Sequence, residues 1–155
     1  MIKNIVLIGF LGTGKTTIGR YIANKYHYTI REIEAIQQLH DVPRKGKQLF
    51  IIKYDLVTDN TLKSLQHNSV FIWLRSNFVK VAHNVLDNNH KTYMLQNYYE
   101  SNAFVKCRKY TNAHKTMINL EPFYRELAQY QLDVSDLTIL QVQEAMNKIC
   151  MRISN

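Results

Sequence analysis

Apolar positions along the chain alternate between two rhythms. Asn4–Ile8 is a continuous apolar run rather than an alternating one, as expected for a central parallel strand covered on both faces. After a glycine-rich break, Ile18, Tyr21, Ile22 and Tyr26 recur at helical spacing, which predicts a helix over residues 15–25 packed back on the sheet. A short strand over 28–33 follows, then a segment over 34–40 that can be helical, then a turn-like Val42-Pro-Arg-Lys-Gly46. Residues 49–57 are rich in β-branched and aromatic side chains; their second half is expected to be a strand, and 61–65 a short helix. Val70-Phe-Ile-Trp-Leu74 reads as a buried strand. Ser76 or Asn77 can cap the next helix, whose expected apolar face is Phe78, Val79, Ala82, Val85 and Leu86.

The rhythm weakens over residues 87–116, where asparagine, histidine, lysine and tyrosine dominate, and a mostly helical surface excursion is expected. Pro122 and Tyr124 are expected to introduce another helix, 131–134 a last strand, and Thr138 a closing helix. Thr138 and Gln141 have the spacing of a capping box, ahead of an apolar face of Val142, Ala145, Met146, Ile149 and Ile153. Alternating strands and helices predict one doubly wound α/β domain over 1–155, with right-handed crossovers and a ligand site at the carboxyl ends of the strands.

The break after the first strand carries the chemistry. Gly9-Phe-Leu-Gly-Thr-Gly-Lys-Thr16 fits G-x-x-x-x-G-K-[ST] at every fixed position, with a strand before it and a helix after it. Gly12 and Gly14 let the backbone curl so that the N–H groups of Leu11, Gly12, Thr13, Gly14, Lys15, Thr16 and Thr17 can cradle phosphate oxygens at a positive helix end. Lys15 supplies a mobile cation for the β- and γ-phosphates, and the Thr16 hydroxyl can join the shell of a magnesium ion.

Composition narrows the partners. Twenty Lys and Arg against 12 Asp and Glu give a net charge of +8, which favours anionic ligands such as nucleotides and phosphorylated or carboxylated metabolites. The cations are scattered, and the densest cluster is only Lys106, Arg108 and Lys109, so nucleic acid is disfavoured as a partner. Cys107 and Cys150 belong to no C-x-x-C pair, so neither a disulfide framework nor a zinc site is expected. The six histidines lack metal-ligand spacing. The N-terminal apolar run flows into the phosphate loop without a cleavage site, and no apolar stretch approaches a membrane span of about 20 residues. A cytoplasmic protein, monomeric or weakly dimeric, is the expectation.

The run Gly9-Phe-Leu-Gly-Thr-Gly-Lys-Thr-Thr-Ile-Gly19 resembles the opening of shikimate kinases, G-F-[MS]-G-x-G-K-[ST]-T-x-G. A second match lies downstream, where Pro122, Tyr124, Glu126 and Ala128 fit that family's R-x-P-x-Y-x-E-x-A. The resemblance implies a P-loop nucleoside-monophosphate-kinase-like three-layer fold using ATP and Mg2+, with a central parallel sheet and a lid at about 87–116. Where the family has D-x-D after its second strand, this chain has Glu32-Ile-Glu34. The resemblance implies that Glu32 and Glu34 order magnesium-bound water and accept the substrate hydroxyl proton, each reaching one methylene (about 1.5 Å) further. Arg108 is the candidate in the lid for the nucleotide.

Other family positions are changed. The substrate arginine of G-E-x-x-F-R aligns with Ile51, and the arginine of R-x-P-x-Y aligns with Leu120. The glycine triplet after the third strand has no counterpart near Thr58-Asp59-Asn60, and the lid's R-P-L-L falls near Lys91-Thr-Tyr-Met-Leu95 without its arginine or proline. Asp55 or Asp59 is a candidate replacement acid. An isoleucine or leucine cannot imitate the planar fork that grips a carboxylate, so shikimate is disfavoured as substrate. Three readings follow: a kinase of another small hydroxylated metabolite, a nucleotide-binding pseudokinase with a regulatory role, and a basic nucleic-acid-associated ATPase.

Overall fold

The computed structural model describes the backbone of residues 3–40, 46–87 and 103–155, and the side chains of these except 85–87 and 103–110. Five parallel strands, β1 (Asn4–Ile8), β2 (Thr29–Ile33), β3 (Gln48–Ile52), β4 (Ser69–Arg75) and β5 (Tyr130–Asp133), form one sheet in the order β2-β3-β1-β4-β5. β1 lies at the centre, with Ile5, Val6 and Leu7 facing Leu49, Phe50 and Ile51 on one side and Val70, Phe71 and Ile72 on the other.

Alternation along these strands divides the core into two layers. Ile5 and Leu7 of β1, with Leu49, Ile51, Ile72 and Leu74, face helices α1 (Lys15–Tyr26) and α4 (Ile139–Ser154), which contribute Ile18, Ile22, Val142 and Met146. Val6 and Ile8, with Phe50, Ile52, Phe71 and Trp73, face α2 (Phe78–Asp87) and α3 (Ala103–Leu127). The positions from Ile5 to Ile8, Leu49 to Ile52 and Val70 to Leu74 are apolar on both faces, which is why β1, β3 and β4 read as continuous runs. The capping box at α4 is formed: Gln141 N–H donates to Thr138 Oγ1 at 3.2 Å, and Thr138 N–H donates to Gln141 Oε1 at 2.9 Å.

Three expectations need correction. The strand in the 49–57 run is its first half, Gln48–Ile52, and the second half turns into a 3-10 helix at Leu56–Thr58. Composition is similar throughout that run, but only Gln48–Ile52 is wholly buried between β1 and β2, whereas Lys53 and Asp55 face solvent. Pro122 does not begin a helix; it lies inside α3. The missing proline N–H costs that helix one hydrogen bond, but Ala113, Met117, Leu120, Tyr124 and Leu127 form one buried seam across it. On α2, Val79 is 79 % exposed and Val81 is the buried residue, so the face turns on Phe78, Val81 and Ala82. Val85 and Leu86, and the turn-like stretch at 42–45, lie outside what is described.

Candidate active site

β1 ends at Ile8, and the chain turns where Gly9 passes under β4. A Cβ on Gly9 would sit 2.5 Å from the Leu74 carbonyl oxygen, so no side chain fits this crossing. Gly12 and Gly14 take left-handed φ values of 72° and 87°, the curl that the motif predicts. α1 then starts at Lys15 with Gly14 as its N-cap, no side chain capping it and no acid in its first turn. Its first N–H groups thus keep their capacity for an anion, and the helix dipole adds partial positive charge there.

Side chains tie this loop to itself. Thr13 Oγ1 donates to the Phe10 carbonyl at 3.0 Å, and Lys15 Nζ donates to the carbonyls of Gly9 at 2.7 Å and Phe10 at 2.8 Å. The ammonium is thereby folded over the start of the loop, and its hydrogen bonds there are ones that a phosphate oxygen can replace with stronger, charge-assisted ones.

Glu32, on β2, reaches the same point: its Oε1 accepts from Thr16 Oγ1 at 3.4 Å. An alcohol and a carboxylate side by side are the hard oxygen donors that suit Mg2+. Glu34 is exposed just beyond β2; its backbone N–H donates to Gln38 Oε1 at 2.6 Å, and Gln38 Oε1 also accepts from Ala35 N–H. No contact brings the Glu34 carboxylate to Thr16 or Lys15 among the described residues. Arg108 lies in α3, and its side chain is outside what is described. Lys91 likewise falls on an undescribed position. Among the described residues no group of three or more His, Cys, Asp or Glu could hold a metal ion.

The positions expected to hold an acceptor are built differently. Ile51 is 6 % exposed within β3, and a Cβ at Gly19 of α1 would come 2.8 Å from Ile51 Cδ1. This position therefore lies in the core beneath α1. Leu120 is 7 % exposed in the buried seam of α3. Asp59 is occupied as a cap: its Oδ1 accepts from Thr61 N–H at 2.8 Å, a bond that holds its carboxyl below the usual range. Asp55 pairs with Lys53 at 3.9 Å. Tyr124, almost fully buried, lies tilted 5.5 Å from Trp73 and donates to the Tyr54 carbonyl at 2.8 Å; burial, with Asp55 nearby, pushes its phenol well above 10.0. Trp73 is core, as the strand pattern implies.

Between the loop and α3 lies a narrow, partly open cleft lined by Phe10, Thr13, Arg75, Ser76, Glu121 and Tyr124 among others. The Arg75 guanidinium lies 5.4 Å over the Trp73 ring. Ser76 Oγ is buried beside this cleft and, among the described residues, has no hydrogen-bond partner, a rare condition for a hydroxyl. Sequence reasoning considered Ser76 only as a cap, a role taken by Asn77, whose Oδ1 accepts from Lys80 N–H at 2.9 Å. It also missed Asn84 on α2, whose amide Nδ2 donates to the Gly12 carbonyl at 2.9 Å. The available signal was a polar residue three positions after the buried Val81, on the face where the helix meets the core.

The parallel sheet, the glycine-rich loop at the end of its central strand and the helix that follows define a P-loop protein of the nucleoside-monophosphate-kinase-like fold. No protein-family model matches the chain. Curated shikimate kinases of Caldanaerobacter subterraneus subsp. tengcongensis and Thermoanaerobacter pseudethanolicus are similar to it at 24% and 26% identity, each match covering 97% of this chain and 98% of the relative. The aligned length of 178 positions exceeds the 155 residues here, so gaps open in this chain against both. A shikimate kinase structure from Bacteroides thetaiotaomicron superposes with a TM-score of 0.73 at 12% identity, covering 100% of both chains. One from Acinetobacter baumannii, in complex with shikimate, gives 0.68 at 15% identity over 99% of this chain and 93% of that one. A deoxyadenosine kinase from M. mycoides with bound dATP gives 0.62 at 15% identity over 95% and 99%. The resemblance first read from Gly9 to Gly19 and from Pro122 to Ala128 thus extends over nearly the whole chain. No described helix is long and apolar enough to cross a membrane.

Proposed function

We propose that the protein is an ATP-dependent kinase that transfers the γ-phosphoryl group to a small hydroxylated metabolite. The observation that carries this reading is the meeting of Thr16 Oγ1 and Glu32 Oε1 at 3.4 Å beside an uncapped helix N-terminus. The loop amides and the start of α1 bind the phosphate chain, and Lys15 moves from the Gly9 and Phe10 carbonyls to the β- and γ-phosphates. Thr16 and Glu32 would hold Mg2+, which when bound offsets charge on the phosphate oxygens. Glu32 or Glu34 accepts the acceptor's hydroxyl proton, and the segment at 87–116 serves as the lid, with Arg108 toward the nucleotide. The acceptor approaches on the Ser76 side of the loop, where Arg75 and Glu121 offer polar groups.

Shikimate itself is not the acceptor we favour, because the two positions aligned with carboxylate-binding arginines are core residues, Ile51 and Leu120. Phosphoryl transfer measured by ADP release over a panel of small polyols, sugars and hydroxy acids tests the proposal, with Lys15→Ala as control. Transfer to at least one acceptor by the wild type, lost in the variant, is the expected result; equal signals from both would reject it.

The same two core positions favour a second reading, a nucleotide-binding pseudokinase that changes partner or shape with nucleotide. Magnesium-independent binding of ATP without transfer to any acceptor in the panel would select it.

A further inference from the structure

The geometry points to Asn84 as the residue that sets the direction of a phosphate-binding amide in the loop, an inference that rests on the loop's taking a nucleotide. Gly12 has no side chain to hold it, and its φ of 72° lies in a region where several backbone orientations are open to glycine. Its carbonyl is nevertheless held by the Asn84 side-chain amide at 2.9 Å, a contact from α2 across 72 positions of sequence. The Gly12–Thr13 peptide bond is trans and planar, so its carbonyl and its N–H point in opposite directions. Fixing the Gly12 carbonyl toward α2 therefore turns the Thr13 N–H away from α2. Among the described residues, no backbone carbonyl accepts from that N–H, which leaves it to an anion.

The two ends of the contact are themselves anchored. Thr13 is 6 % exposed, and its hydroxyl is bonded to the Phe10 carbonyl at 3.0 Å, so the residue cannot swing as a whole. α2 is fixed at its start, where Asn77 N–H donates to Ser135 Oγ at 2.9 Å and Val81 is 1 % exposed in the core layer that includes Phe10. Asn84 follows Val81 by three residues and so projects from the same helix face. Without its amide the Gly12–Thr13 peptide plane can rotate, and the Thr13 N–H must be ordered anew at each binding event. Asn84 is thus a positioning residue: it acts through Thr13 and does not itself touch phosphate.

Asn84→Ala and the nearly isosteric Asn84→Leu both remove the donor. Calorimetric titrations of wild type and variants with ATP, inorganic tripolyphosphate and adenosine separate the phosphate contribution from that of the base. Loss of one hydrogen bond predicts affinity lower by about 5- to 10-fold for ATP and tripolyphosphate. Adenosine binding and the melting temperature should stay as in wild type, and the Thr13 amide proton should exchange faster and shift in the NMR spectrum. Equal ATP affinity in wild type and both variants, or a loss that affects adenosine as much as tripolyphosphate, would overturn the inference while leaving nucleotide binding intact. No ATP binding by the wild type would overturn the nucleotide reading, and this inference with it.

Discussion

The sheet carries two kinds of surface at its carboxyl end. After β1 the chain leaves the core through glycines and short polar side chains, Lys15 is bonded back to the Gly9 and Phe10 carbonyls, and Glu32 of β2 meets Thr16. At β3 and along α3 the corresponding positions are filled by Ile51, Leu120 and Tyr124, all buried. In the proposed reading the first surface takes phosphate, and a substitution there should act on ligand more than on stability. The second is packed into the core, and substitutions there should act on stability more than on ligand.

The largest expected effect comes from the first surface. Lys15→Ala should lower phosphoryl transfer by about 10²- to 10³-fold, the loss typical of a preorganised charge-stabilising donor, while thermal unfolding stays within about 1 °C of wild type. A loss of folding instead of transfer would erase the distinction between the surfaces. Glu32→Gln keeps the shape of the side chain and removes its charge. It should lower magnesium-dependent transfer by about 10- to 100-fold and leave magnesium-free ADP binding unchanged, as a titration with and without the metal would show.

Tyr124→Phe tests the second surface. It strands the Tyr54 carbonyl in the core and should cost about 1–3 kcal/mol in chemical denaturation, with ATP affinity unchanged. Its pH dependence has a fixed sign. The folded phenol titrates above its ordinary 10.0, so its contribution to stability is complete below pH 10 and falls as pH rises beyond it. Cys150, pushed up to about 11 by burial, acts in the same direction, so the variant should lose part of the alkaline decline and keep the rest. The smallest effect is expected from Thr138→Ala, which removes one half of the α4 capping box and should cost about 1 kcal/mol with no change in binding.

The same contrast explains what could be read from the chain. β1, β4, α1 and α4 were legible because each has one dominant signal: an unbroken apolar run, a glycine motif or a capping box. The phosphate loop was legible for the further reason that its contacts are local, between Gly9 and Thr16. β3 was misplaced within the 49–57 run because residues on both sides of Ile52 have strand propensity, and only pairing with β1 and β2 decides between them. α3 was expected to start at Pro122 because a proline so often marks a helix start, whereas the buried seam from Ala113 to Leu127 carries this helix through it. Long-range polar contacts were harder to read for a different reason. Asn84 on Gly12 joins residues far apart in the chain without a local pattern, and Glu32 was brought to the metal site with Thr16 only through the family resemblance.

The central claim is that Gly9 to Thr17 with Glu32 forms a nucleotide site that works with magnesium. Its most direct test is a calorimetric titration of the wild type and Lys15→Ala with ATP, each with and without Mg2+. The account predicts saturable binding by the wild type that tightens with magnesium, and binding weaker by at least about 10-fold in Lys15→Ala. Absence of binding by the wild type, or the same affinity in both proteins, would contradict it.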